Sequence, residues 1–242
     1  MIGIWAAVNS SAQLGKSMTS ILVTGAGCGI GREICKQASA KGWTVYGSVR
    51  SKAASDELAE ALPGITILQF DVINHLAVEL AGKALNKPID ILINNAGILG
   101  PDNQSTSDMD FLGFRDVFEV NVLAPLKVSQ VFHSHLKRGK NPRLINISSQ
   151  LGRTEFEATD MVAYRASKAA LNKVTQAQAS DLEHAGIACI AMHPGYVQTD
   201  MAGPAADIPP SESAAGILKV AENLTIEQSG TFIDWDGTQR NW

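Results

Sequence analysis

From Ser20 onward, short β-branched runs alternate with longer amphipathic stretches. Ile21 to Val23 reads as a first strand, followed by a Gly-rich turn and a helix ending near Lys41-Gly42. The pattern then predicts a strand over 43–49, a short helix over 53–62 stopped by Pro63-Gly64, and a strand over 65–70 ending at Asp71. A helix covers roughly 76–85, and 89–93 is almost wholly apolar, as a strand buried on both faces should be. One long helix is expected over 111–136, then a strand over 143–147, a helix over 162–183, a strand over 187–192 and a helix near 213–223. Thr231 to Ile233 closes the series as a seventh strand. Alternating apolar strands and helices imply a parallel sheet covered on both faces. Right-handed crossovers then make this a doubly wound α/β fold of the Rossmann type. No repeat or linker divides it, so a single domain over 18–242 is expected.

Met1 to Ser17 fits this pattern badly. Its apolar piece, Ile2 to Val8, is short and has no basic residue before it, which argues against a signal peptide. It is read as an extension, with Met18 opening the domain and Ile4, Trp5 and Val8 as residues that would otherwise pack on a partner. A length of 242 residues is ample for one large core. The net charge of −4 gives no reason to expect nucleic acid or an anionic membrane as partner. No apolar run approaches the ~20 residues of a membrane span. Cys28, Cys35 and Cys189 are scattered outside any metal-ligand spacing, so no metal is expected and a reducing, cytoplasmic setting is.

Against this background the chemistry concentrates at strand ends. Thr24-Gly25-Ala26-Gly27-Cys28-Gly29-Ile30-Gly31 joins the first strand to the first long helix. Glycines let the main chain approach a pyrophosphate, and the following helix aims its amides and positive end at that anion. An NAD site usually places a carboxylate ~20 residues past these glycines. Here Ser48-Val49-Arg50 offers an arginine instead, suited to a 2′-phosphate, so NADP(H) is expected with NAD(H) as the alternative. Asp71, after the third strand, suits the adenine edge.

Tyr164-Arg165-Ala166-Ser167-Lys168 begins a helix, where residues four apart share a face. A phenol with pKa ~10 needs help to move protons at neutral pH, and a nearby ammonium favours its ionised form. Asn146-Ile147-Ser148-Ser149, Asn94-Asn95-Ala96-Gly97 and His193-Pro194-Gly195 all end strands at the edge where open α/β sheets bind ligands. Ser148 and Ser149 point to opposite sides. His193 is read as packing before the turn, and His133 and His135, two apart on a helix, do not share a face for a metal. Gln150, Thr154, Tyr196 and Trp235 are candidate substrate-lining positions, and 203–213, rich in Pro and Ala, reads as a mobile substrate loop.

The ordered set resembles the short-chain dehydrogenases/reductases. T-G-x-x-x-G-x-G at Thr24 to Gly31, N-N-A-G at Asn94 to Gly97, Asn121, Ser149, Y-x-x-x-K at Tyr164 to Lys168 and P-G at Pro194-Gly195 occur in that family's order. Ala163 to Asn172, His193 to Met201 and the ending Phe232 to Trp242 are similar to carbonyl reductases of the sniffer and C-factor-like branch. The resemblance implies that Tyr164 protonates a carbonyl oxygen while Ser149, favoured over Ser148 by family spacing, hydrogen-bonds it. It further implies that Lys168 holds the ribose and depresses the tyrosine pKa, and that Asn121 positions a water relaying protons to Lys168. The cofactor positions it implies are Gly25, Gly27, Cys28, Gly29, Ile30, Gly31, Arg50, Asp71, Val72, Asn95, Ala96, Gly97, Tyr164, Lys168, Pro194, Gly195, Val197 and Thr199, the last at the nicotinamide carboxamide. Cys28 stands where NADPH-using relatives often carry a basic residue, which leaves 2′-phosphate recognition to Arg50. The expected activity is reduction of an aldehyde, ketone or quinone by NADPH in a homodimer or homotetramer built on the two long helices. The alternatives are NAD-dependent alcohol oxidation and a nucleotide-binding signalling protein of C-factor type.

Overall fold

The computed structural model describes residues 18–155 and 158–242, so the reading of Met1 to Ser17 as an extension lies outside the described residues. In chain order the elements are β1 (Ser20–Val23), α1 (Gly29–Ala40), β2 (Thr44–Val49), α2 (Lys52–Ala61), β3 (Thr66–Gln69), α3 (His75–Ala84) and β4 (Ile91–Asn94). A small hairpin, β5 (Gln104–Ser105) and β6 (Asp108–Met109), precedes α4 (Phe111–Phe118), a π-helical turn (Glu119–Leu123) and α5 (Ala124–Leu136). The chain ends with β7 (Arg143–Ile147), α6 (Val162–Leu182), β8 (Ala188–His193), α7 (Pro210–Asn223), β9 (Phe232–Asp234) and β10 (Gln239–Arg240).

The main sheet runs β10-β9-β8-β7-β4-β1-β2-β3. The seven strands expected from the sequence are mutually parallel, and β10 adds a two-residue antiparallel edge to β9. Period-two alternation sorts each central strand between two cores. Ile21, Val23, Ile91, Ile93, Ile145 and Ile190 face α1, α2 and α7, while Leu22, Leu92, Leu144 and Cys189 face α3, α5 and α6. Each aliphatic side chain so enclosed contributes roughly 1.5–3 kcal/mol. Because both faces are covered, the strands carry no polar alternation, which is why they read as continuous apolar runs. Strand order reverses between β1, which leads to β2 and β3, and β4, which leads to β7, β8 and β9. That switch point opens a crevice at the carboxyl ends of β1 and β4.

The expected single helix over 111–136 is interrupted. Pro125 has no N–H to donate to the Asn121 carbonyl four residues back. The ladder slips by one residue just before it, with the Ala124 N–H bonded to the Glu119 carbonyl. The slip turns Asn121 into the interior, where it is fully buried. The inward face of α6 is also unlike a simple apolar stripe, carrying Ser167, Lys168, Asn172, Thr175 and Gln178 among its buried residues. These are matched by strand-end amides. Asn146 Nδ2 donates to Thr175 Oγ1 (2.9 Å) and Gln178 Oε1 (2.9 Å), and Asn94 Nδ2 donates to Asn146 Oδ1 (2.9 Å). Satisfied polar pairs of this kind fix how a helix sits on a sheet, because a shift would leave buried groups unpaired.

Candidate active site

The glycine turn is held from the neighbouring strand. Thr24 Oγ1 accepts the main-chain N–H groups of Asn95 (3.0 Å) and Ala96 (3.1 Å), and Asn95 Nδ2 donates to the Thr24 and Gly25 carbonyls. The Asn95 side chain therefore shapes the turn from behind. Gly31 has no room for a larger residue, since a Cβ there would lie 2.3 Å from the Gly25 carbonyl oxygen. Gly27 differs: its Cβ would meet Val49 Cγ1 at 3.5 Å, an ordinary contact, so the protein itself does not demand glycine there. A cradle that a Cβ would fill, beside the N-terminus of α1 where Cys28 supplies no side-chain cap, fits a bound pyrophosphate. Ile30 lies in the first turn of α1, and Thr199 closes over it, its Cγ2 3.2 Å from where a Cβ on Gly29 would stand.

At the adenosine end, the Ala26 N–H donates to the Ser48 carbonyl (2.9 Å), which brings the end of β2 against the turn and leaves Arg50 exposed beside it. Asp71 Oδ1 accepts the Ile73 N–H (3.2 Å), closing the loop after β3 around the half-buried Val72.

Across the crevice, the 3₁₀ turn Gln150–Gly152 after β7 crosses α6 closely. A Cβ on Gly152 would lie 2.6 Å from the Lys168 carbonyl carbon, so only glycine permits the crossing. This crossing brings Ser149 beside Tyr164, near enough for its hydroxyl to pull the phenol pKa down. Ser148 points away and bonds Asn172, which separates the two serines as alternation predicts. Lys168 is buried, donates from Nζ to the Ile147 carbonyl (2.9 Å) and lies 5.6 Å from the Tyr164 ring centre. Burial lowers its pKa to about 8. The Tyr164 phenol moves the opposite way: burial raises it, and the Ser149 hydroxyl only partly offsets this. The Lys168 ammonium keeps donors beyond its bond to the Ile147 carbonyl, and desolvation is the largest influence on the phenol.

Asn121 joins the same cluster by a different contact from the one expected. Its Oδ1 accepts the Ile98 N–H (2.9 Å), and its Nδ2 donates to the Ile98 carbonyl (2.9 Å) and to Ser167 Oγ (3.0 Å). The side chain thereby uses both its donors and staples the segment after Gly97 to α6. The site of a Cβ on Gly97 is 3.2 Å from Asn121 Oδ1 and 3.7 Å from Lys168 Nζ, so a larger residue would intrude between them.

The far wall comes from the loop after β8. Gly195 has φ +90, and a Cβ there would strike Ile208 Cδ1 at 2.7 Å. Pro194 accepts the Ser213 hydroxyl, and buried Val197 pairs with Ile208. Four further bonds tie Tyr196 and Gln198 to Ala206, Asp207 and Ile208, and residues from Pro210 onward form α7. The segment 203–213, expected to be a mobile loop, is thus half strapped to the preceding turn and half helix. Tyr196, Gln150 and Thr154 are exposed as pocket-lining positions require. Trp235 is wedged against Gly195 and Gly216, where a Cβ would meet its ring at 3.0 and 2.5 Å, so packing accounts for it. His193 is also packed, and burial lowers its pKa. Gly152 carries geometry that the sequence pattern did not single out; a glycine three residues after Ser149 was the available signal.

A glycine-cradled anion site facing a Ser–Tyr–Lys cluster across a sheet switch point defines an oxidoreductase that binds a nicotinamide dinucleotide. The chain belongs to the short-chain dehydrogenase family, whose sequence pattern matches residues 19–208. It is 38% identical over 156 residues to C-signal of Myxococcus xanthus, covering 64% of this chain and 93% of that one. The NADPH-bound carbonyl reductase from chicken fatty liver superposes with a TM-score of 0.85 at 32% identity, covering 93% of this chain and 99% of that one. Carbonyl reductase Sniffer of D. melanogaster superposes with a TM-score of 0.82 at 29% identity, covering 93% and 100%.

Proposed function

We propose that this protein reduces a carbonyl compound (an aldehyde, ketone or quinone) with NADPH, Tyr164 acting as general acid. The observation that carries the reading is the buried Lys168 ammonium 5.6 Å from the Tyr164 ring centre, with Ser149 on the turn that crosses the same helix. The cofactor supplies a hydride to the carbonyl carbon. Ser149 then hydrogen-bonds the oxygen on which charge develops, and Tyr164 gives that oxygen its phenolic proton. A phenol held above its usual pKa by burial stays protonated at neutral pH, which suits a proton donor. Lys168 would hold the cofactor ribose through the ammonium donors left beside its bond to the Ile147 carbonyl. Asn121 keeps the loop at Ile98 in place, and the relay of protons toward Lys168 is assigned to it.

Oxidation of NADPH against a panel of carbonyls and quinones tests this directly; no turnover with any of them would remove the reading. The same assay has a predicted pH dependence. Lys168 is charged below about 8 and neutral above it, so reduction falls as pH rises through that value. A rate flat to pH ~10, where an ordinary lysine first titrates, would exclude a charged Lys168 from the mechanism.

NADPH is favoured because Arg50 follows β2 beside the glycine turn with no acid at that place. Replacing Arg50 with Asp is expected to lower the NADPH/NADH ratio of kcat/KM by ~10–100-fold, through loss of a charge-assisted phosphate contact. An unchanged ratio would refute the role. A second reading, a nucleotide-binding signalling protein, draws on the 38% identity to C-signal. The complete Ser149, Tyr164 and Lys168 set favours catalysis. Association through the long helices is supported by Phe111, Leu112 and Leu123, which are large, apolar and exposed on the first of them. Among the described residues no helix is long and apolar enough to cross a membrane.

A further inference from the structure

Helix α6 carries Tyr164 and begins in an unusual way. Its first flanking residue, Met161, has left-handed backbone angles (φ 51, ψ 35) and no side chain able to cap a helix. Tyr164 is the third residue of the helix, and its N–H has no carbonyl partner within the helix. Ordinarily a Ser, Thr, Asp or Asn at the flanking position would accept that N–H. Here the acceptor comes from 60 residues away: Gln104 Oε1, in the small hairpin, accepts the Tyr164 N–H at 3.0 Å.

Gln104 is 5% exposed, and its amide is engaged at both ends. Nε2 donates to the Leu99 carbonyl (3.1 Å) and the Pro101 carbonyl (2.7 Å). Chemistry fixes the orientation of this amide, because a backbone N–H can only donate and two carbonyls can only accept. Leu99 and Pro101 follow Ile98, the residue stapled by Asn121. The segment leaving β4 is therefore gripped twice, first by Asn121 and then by Gln104. The second grip ends on the main chain of the residue that bears the phenol. Gly100, with φ +98, packs the same knot: a Cβ there would lie 2.4 Å from Val117 Cγ2 and 3.3 Å from Gln104 Nε2.

We propose that Gln104 is a positioning residue for Tyr164, accepting the Tyr164 main-chain N–H and so fixing where the phenol stands relative to Ser149 and Lys168. The proposal rests on the reductase reading for its kinetic consequence, though not for its structural one. It acts through backbone placement and touches neither cofactor nor substrate.

The test uses the full chain with Gln104→Met, similar in length but unable to accept the N–H. Turnover is expected to fall by ~10–100-fold, as misplacement of a reacting group by about 1 Å would produce. The KM for NADPH should stay within about twofold, because the glycine turn is untouched. Should Gln104→Met not fold, Gln104→Asn, one methylene shorter, is read in the same way. A folded Met or Asn variant with wild-type turnover overturns the proposal.

A second readout needs no substrate. The chain has three tyrosines, so the phenolate absorbance that Tyr164→Phe removes isolates the Tyr164 titration. Ser149 and Lys168 are the polar and charged groups beside it. Loosening the start of α6 admits water to the phenol, so its titration should move down toward the ordinary value in Gln104→Met. No movement overturns the proposal. If the wild-type chain reduces no carbonyl, the reductase reading fails while this titration still decides the role of Gln104.

Discussion

Replacing Tyr164 with Phe is expected to lower carbonyl reduction by ~10²–10⁴-fold, the range that a positioned general acid supplies. The substitution removes one oxygen and leaves the ring, whose centre lies 5.6 Å from Lys168 Nζ. The ring keeps its packing, so NADPH affinity should change by no more than about twofold. Ser149 loses a polar neighbour but keeps its own anchor, since its Oγ accepts the Leu151 N–H (3.1 Å). The oxyanion donor therefore stays in place, and residual turnover should reflect that donor and the bound cofactor alone. Stopped-flow single turnovers, with NADPH affinity measured by its fluorescence, separate the chemical step from binding. Normal turnover in this variant on an identified substrate would end the proposed mechanism. A parallel loss of NADPH binding would show instead that the phenol is structural.

The second large effect belongs to the glycine turn and separates two kinds of glycine. A Cβ at position 31 would lie 2.3 Å from the Gly25 carbonyl oxygen and 2.6 Å from Asn95 Nδ2. Neither can retreat freely, because Asn95 Nδ2 is bonded to the Thr24 and Gly25 carbonyls that shape the turn. Gly31→Ala should therefore cost about 1–3 kcal/mol of stability, as overpacking does. It should also weaken NADPH binding by ~10–100-fold, equivalent to roughly 1.4–2.7 kcal/mol. At position 27 the nearest atom to an added Cβ is 3.5 Å away. Gly27→Ala should leave unfolding within about 0.5 kcal/mol of wild type yet still impair NADPH binding, because the methyl occupies the cradle. Thermal unfolding and fluorescence titration on both variants check this. Equal stability of the two variants would contradict the close packing at Gly31, and full NADPH affinity in Gly27→Ala would contradict the cradle.

Much of the fold was legible because its strands are apolar on both faces and its helices are amphipathic. Those periodicities are local properties of the chain. The elements that escaped are those whose cause is not periodicity. The hairpin at Gln104–Met109 and the edge strand Gln239–Arg240 are two-residue pairings stabilised by what lies next to them, and too short to show a pattern. The slip at Asn121 had a visible cue in Pro125, but a proline one or two residues into a helix is also an ordinary start.

The candidate site divides along the same line. Residue identity and order placed Tyr164, Lys168 and Ser149 at one sheet edge, and Gly25 to Gly31 at the turn opposite. How strongly Lys168 acts on the phenol depends on which acceptors the ammonium reaches and on how much water surrounds the phenol, and both are set by α6 packing under Ile147. Likewise Trp235, listed by position among pocket-lining residues, is claimed by Gly195 and Gly216 from two other segments.

By itself the sequence determined the doubly wound sheet, the strand ends where chemistry gathers and the residue types available there, because these depend on neighbours within a few residues. The tertiary structure alone decided that Asn95 and Asn121 are spent on main-chain bonds and that 203–213 is strapped down. It also decided that the Tyr164 phenol is held protonated and that a glutamine 60 residues upstream holds its backbone. Hydrogen-bond partners and desolvation are properties of groups brought together from distant parts of the chain, and no local pattern records which groups will meet.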